Sequence, residues 1–262
     1  MEKKTLLVKE PGFYRLMLML ALPVIIQNMI TVGVNIMDTV MLGSFGEIQL
    51  SGSSLANDFI NLFQIACMGV GGGASVLSAQ FYGKGDYNNV KKTVAIMLRV
   101  ILSVAVVCMV ISLFFPEELL RIYTADTAVI EKGAIYLRYS TASFVMMAIT
   151  MTLTLILRSI HDVKIPLYAS IGSFFVNIFF NWVFIFGHFG VPQMQIAGAA
   201  IGTVLARLFE LIVIGGHFFF QEKQLRFRIR DLWMPVGDLL DQRFAINGNG
   251  NIHVEQHRHG GH

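Results

Sequence analysis

The chain has 262 residues, of which 55% are hydrophobic and only 14% charged, and its formal net charge is +3. Soluble domains average about 25% charged residues, and here the charges fall in short blocks between long apolar runs, the distribution of a polytopic membrane protein. The small net charge, with basic residues at the ends of apolar runs, gives no basis for nucleic-acid binding.

Residues 1–13 form a polar N-terminal segment with Lys3, Lys4 and Lys9. The apolar run that follows is too long for the core of a signal peptide and lacks a small-residue cleavage site. Six segments then reach the roughly 20 residues needed to cross a bilayer as helix: Tyr14–Leu42, Ser51–Phe81, Val94–Phe115, Ile135–Leu157, Pro166–Gly187 and Ile196–Phe220. They define residues 14–220 as an all-α, six-helix transmembrane lobe, since no two-residue alternation suggests strands. Several runs exceed the minimum, which implies tilt, a kink or extension beyond the lipid. Pro23 can kink the first, and Gly69, Gly71, Gly72 and Gly73 loosen the second or allow close helix contact. Cys67 and Cys108 lie inside spans without metal-ligand spacing and read as small hydrophobes.

Residues 221–262 begin as a basic segment with Lys223, Arg226, Arg228 and Arg230. Beyond about Leu240 the tail is polar, Gly/Asn-rich and without an apolar run, a composition that reads as disordered. Its His253, His257, His259 and His262 lack the partner ligands of a built metal site.

The connections alternate in charge. Lys84, Lys91 and Lys92 follow the second span, and Arg158 and Lys164 follow the fourth. The first connection has only Glu47, and the fifth, His188–Gln195, has no Lys or Arg. The positive-inside rule therefore places both ends of the six-span unit in the cytoplasm, in a cell (plasma or inner) membrane.

Asp38 is the only ionisable residue between Leu16 and Leu42. A carboxylate in hydrocarbon costs roughly 2.5–3.5 kcal/mol on insertion scales and so usually faces a cavity or a partner. It lies roughly 6 Å along the helix from the outer end of its span. Asn177 and Asn181, at i and i+4 on one face of the fifth span, and Thr203 on the sixth reach a similar depth. Such a layer suits a small cation, the carboxylate supplying charge and the neutral oxygens replacing water. A desolvated carboxylate can instead carry a proton. The plainer alternatives are that Asp38 snorkels to the interface and that the amides and hydroxyl only join helices.

Arg207 and Glu210, at i and i+3 in the sixth span, read as a mutually neutralising structural pair rather than a substrate site. Asp58, beside Asn57 and Asn61, reads as solvated near the outer interface, and Arg99 and Arg138 as snorkelling to head groups. The many Met and Phe side chains suit both lipid contact and an adaptable pocket. Gly83 and Gly85 in YGKGD read as a tight turn, because no strand precedes them and no GK[ST] follows. No base stands near a nucleophile, so nothing points to an enzyme.

Several stretches together carry a resemblance: LALPVIIQNMI around Ala21, MDTVMLGSFG from Met37, AQFYGKGD from Ala79, LRSIHDVKIP from Leu157, NIFFNWVFIFGHFG from Asn177 and GAAIGTVLAR from Gly198. In order and spacing the chain resembles the N-terminal half of a multidrug and toxic compound extrusion (MATE) transporter over roughly residues 12–230. The resemblance implies one of two pseudo-symmetric six-helix lobes in a membrane antiporter. Such a transporter exports small organic cations or drugs against an inward flow of Na⁺ or H⁺. It further implies a cation-coupling site at Asp38, Asn177, Asn181 and Thr203, with Pro23 matching a proline associated with first-helix bending. Some archaeal proton-coupled members carry a second aspartate where Asn181 stands. Its absence favours sodium, although a single Asp can also carry a proton, and the ion stays open.

The resemblance ends near Leu240, where the family would continue into a second lobe. The sequence is therefore expected to be a truncated product, ahead of a half-transporter that pairs with another lobe or a second copy, and ahead of an incomplete sequence. The competing functional readings are a non-transporting membrane fragment and, less favoured, a flippase for lipid-linked substrates. The flippase would call for a strongly cationic cavity, which these spans do not show.

Overall fold

The computed structural model describes residues 11–221 together with Phe227 and Asp231. The lysines and arginines expected to flank the lobe at Lys3, Lys4, Lys9, Lys223, Arg226, Arg228 and Arg230 lie outside the described residues, as does the histidine-bearing tail. Among the described residues every regular element is helical. The order is α1 (Pro11–Gly43), α2 (Glu47–Gly83), α3 (Tyr87–Phe114), α4 (Pro116–Leu120), α5 (Thr127–Ser159), α6 (Lys164–Phe186) and α7 (Ile196–Gly216), closed by a π-helical turn, His217–Gln221. Six of these helices are long and apolar enough to cross a membrane.

Helix ends differ from the apolar runs for a physical reason. Hydropathy locates the lipid crossing, whereas capping locates the helix. Helix α3 starts at Tyr87 rather than Val94 because the Asp86 carboxylate accepts from the Asn89 amide at 3.1 Å. Helix α5 starts at Thr127 rather than Ile135, with Asp126 accepting from the amides of Ala128 at 2.9 Å and Val129 at 3.4 Å. Both carboxylates satisfy first-turn donors that would otherwise be orphaned. The third connection holds the short α4, opened by Pro116 and by Glu117 and Glu118 in its first turn, where a fixed φ and negative charge both suit a helix start. The turn at YGKGD places Gly85 at φ +73°, a conformation that favours glycine.

Helix α5 is the axis of the lobe. It packs on α2, α3 and α7, and 56% of its apolar window is buried, against 6% for α1. Phe144 of α5 meets Phe59 and Phe63 of α2 edge-on, with ring centroids 5.8 and 5.2 Å apart. At the α2–α5 crossing the backbones touch: a Cβ on Gly52 would lie 2.9 Å from the Gly133 nitrogen. The four glycines of the second span behave differently from one another. A Cβ on Gly71 would meet Leu155 and come within 2.7 Å of the Met97 Cε, whereas Gly69, Gly72 and Gly73 face open space. Close contact is thus confined to Gly71, and α2 continues as one helix. Helix α1 is likewise unbroken at Pro23.

Helix α1 lies along α6 and turns outward an apolar stripe of Leu18, Leu22, Ile25, Met29, Val32, Ile36 and Val40, each more than half exposed. A stripe of that length is foreign to water-facing surfaces and proper to a helix meeting lipid or another bundle. At the other end of the chain, Phe227 is buried against Phe218 and Phe219, and Asp231 pairs with Lys91 of α3 at 3.3 Å.

Candidate cation site

Three helices position the site. On α1, Asp38 follows from Thr31 and Asn35 at helical spacing, on the face turned to α6, and is buried. On α6, Asn177 and Asn181 stack one turn apart and are both buried. Helix α7 approaches α6 closely enough for Thr203 to join them, because Gly202 presents no side chain.

The structure brings the four sequence-derived residues into one chain of contacts. Asn181 Nδ2 donates to Asp38 Oδ1 at 2.5 Å and to Asn177 Oδ1 at 3.0 Å. Asn177 Nδ2 in turn reaches Thr203 Oγ1 at 3.5 Å. Asp38 therefore faces the bundle interior rather than snorkelling, and Thr203 is joined to it through the two asparagines. Asn181 Oδ1 is buried and has no hydrogen-bond partner among the described residues.

Tyr136 is the member that sequence reasoning missed. It is fully buried on α5, and its hydroxyl donates to Asn57 Oδ1 of α2 at 3.3 Å and lies 3.5 Å from Thr203 Oγ1. An aromatic within an apolar run gives no polar signal. The only hint was Asn57, here turned to Tyr136 while its neighbours Asp58 and Asn61 are exposed.

Asn177 and Thr203 also line a cleft between α1, α6 and α7 of about 60 Å³. That volume holds an ion or a few waters and is far below the roughly 300–1,000 Å³ of drug-sized sites. Arg207 and Glu210 share the cleft and form the expected pair, Arg207 Nη1 to Glu210 Oε2 at 2.9 Å. Away from it, Arg138 is exposed and pairs with Glu117 at 3.8 Å, while Pro23 lies on α1 well below the Asp38 layer. Among the described residues no group of three or more His, Cys, Asp or Glu side chains could hold a metal ion. The cluster offers one carboxylate, Asp38, beside neutral amide and hydroxyl groups.

The fold and site define a multi-pass membrane protein built as a six-helix lobe around a buried polar cluster. Residues 23–183 match the MatE family model, and the chain belongs to that family, whose members are transporters rather than enzymes. It is 27% identical over 209 residues to the probable multidrug resistance protein NorM of Thermotoga maritima, covering 78% of this chain and 44% of that protein. It is 26% identical over 242 residues to the probable multidrug resistance protein NorM of Rhizobium meliloti, covering 90% and 52%. Among solved structures, MATE in its bent conformation superposes with a TM-score of 0.77 at 20% identity, over 87% of this chain and 50% of that one. An outward-facing multidrug resistance MATE family transporter gives 0.75 at 21% identity, over 86% and 49%. The chain thus spans about half the length of the relatives it matches.

Proposed function

We propose that this chain forms one lobe of a cation-coupled antiporter that exports small organic cations or drugs. Asp38, Asn177, Asn181 and Thr203 are its coupling site, and Na⁺ or H⁺ is the coupling ion. The observation that carries the reading is the Asn181 amide held between Asp38 and Asn177, at 2.5 and 3.0 Å from their oxygens. Oxygens of two helices already converge on one neutral amide donor.

The donor set fits a hard monovalent cation. Asp38 supplies the charge, Asn177 and Thr203 supply neutral oxygens, and Asn181 Oδ1 is a buried, unpartnered acceptor on the side of Gly202. Burial makes Asp38 selective for occupancy, because an unneutralised carboxylate is costly inside the bundle. Tyr136 holds Thr203 from the α5 side, so the site rests on the best-packed helix.

Alternating access needs two bundles working against each other, and the cleft of this lobe is too small for a drug. The transporting unit therefore pairs this lobe with a second six-helix lobe, or with a second copy, across the apolar face of α1. The charge pattern of the connections supports a cell membrane location with both ends of the lobe cytoplasmic. The names of the NorM relatives, which speak of multidrug resistance, agree with this substrate class.

The test is ethidium efflux in a pump-deficient bacterium, with the chain expressed alone and together with a NorM second lobe. Ion-driven efflux is expected from the assembled unit, and Asp38→Asn is expected to abolish it. Efflux that survives Asp38→Asn overturns the assignment, and efflux that never appears favours a non-transporting membrane fragment.

A further inference from the structure

The cation cluster is the end of a longer polar track. On α1 the positions below Asp38 that share its face are Asn35 and Thr31. On α6 those below Asn181 and Asn177 are Ser173 and Ser170. On α7 the sequence continues from Thr203 to Arg207 and Glu210, at i, i+4 and i+7. The lower residues of all three helices line one cleft. Because α7 runs antiparallel to α1 and α6, falling numbers on two helices and rising numbers on the third lead the same way. That way is the end of the bundle where α1 begins and α7 ends, the cytoplasmic end by the charge pattern.

Arg207 and Glu210 close this track. They sit near the middle of a membrane span, where charge is costly and usually functional, and a pair that merely cancelled itself would gain nothing by lining a cleft. Their side chains are 29% and 13% exposed, so both reach the cleft while holding each other at 2.9 Å. Arg207 lies one helical turn, about 6 Å of axial rise, from Thr203.

We propose that the Arg207–Glu210 pair is a built-in electrostatic setting for the Asp38 cluster: a fixed positive charge one helical turn from Thr203, whose strength Glu210 sets by pairing with it. The inference rests on the Asp38 cluster being a cation site. That charge tunes how tightly the outer cluster holds its ion, and Glu210 masks it. Removing the mask weakens cation binding, and removing the charge strengthens it.

The experiment measures ²²Na⁺ binding, and the Na⁺-induced shift in melting temperature, for the full chain in lipid nanodiscs. Binding is expected in the wild type and is expected to be lost in Asp38→Asn. Glu210→Gln leaves Arg207 unmasked and is expected to weaken binding roughly tenfold, while Arg207→Gln tightens it by roughly the same factor. The double variant returns close to the wild type, and Arg207→Lys, which keeps the charge, stays there. If Arg207→Gln does not fold, Glu210→Gln alone decides. Binding that needs Asp38 but changes less than about twofold in these variants overturns the proposal and leaves the outer site standing. Absence of Na⁺ binding in the wild type overturns the proposal together with the sodium form of the site.

Discussion

Gly202 of α7 is seated against the side chain of Asn181, so closely that a Cβ at this position would collide with Asn181 Oδ1 and lie 3.1 Å from both its Cγ and its backbone nitrogen. The same amide donates to Asp38, so the absent side chain on one helix sets the reach between two others. Gly202→Ala is expected to push Asn181 away from Asp38. In ²²Na⁺ binding or ion-driven efflux it should resemble Asn181→Ala, with little loss of expression. Normal binding in Gly202→Ala would show that the amide has room to spare.

Tyr136 predicts a smaller effect. Its hydroxyl makes two long contacts, 3.3 and 3.5 Å, and interhelical hydrogen bonds in membranes average about 0.6 kcal/mol. Tyr136→Phe should therefore cost about 1 kcal/mol or less of stability, read as a modest fall in melting temperature. Because Thr203 loses its support, the apparent affinity for the coupling ion should fall more than the stability does.

At the α2–α5 crossing the prediction concerns folding alone. Gly133 opposes Gly52 so tightly that a Cβ on it would sit 2.9 Å from the Gly52 oxygen and 2.7 Å from Leu120 Cδ1. Gly52→Leu forces the helices apart and should cost about 1–3 kcal/mol. Thermal unfolding in detergent should show the loss. Protein that survives should retain its dependence on Asp38, since neither glycine touches that residue or Asn181.

A polar contact ties α1 to the far end of α5: Arg158 Nη2 donates to Gln27 Oε1. Gln27 is buried, and Arg158 Nε has no hydrogen-bond partner among the described residues. Gln27→Ala should leave a half-buried guanidinium with one acceptor fewer, at a cost of about 1–3 kcal/mol, whereas Gln27→Glu keeps an acceptor and should restore the melting temperature.

The spans were legible because a bilayer imposes a length and an apolar composition that no loop shares. Asn177, Asn181 and Thr203 were legible because polar side chains in such spans stand out, and their spacing fixes face and depth. Tyr136 was not, since a phenol on a buried face looks like any core aromatic until its partner is known. The helix starts at Tyr87 and Thr127 were hidden for a related reason. Lys91, Lys92, Glu131 and Lys132 lie in the first turns and break the apolar run, while the helix continues through them to an aspartate cap. The pairing of Arg207 with Glu210 could be read from i, i+3 spacing. Their share in the cleft could not, because it depends on where α1 and α6 pass.

Asp38 rides on the helix with the least grip on its neighbours. The hydrogen bond from Asn181 fastens the upper part of a 33-residue rod, and the bond from Arg158 to Gln27 fastens it lower down. On the proposed function, a cation that competes for the carboxylate competes for the upper latch as well, so occupancy would act on where α1 rests. Binding chemistry and helix position are then two readings of one equilibrium.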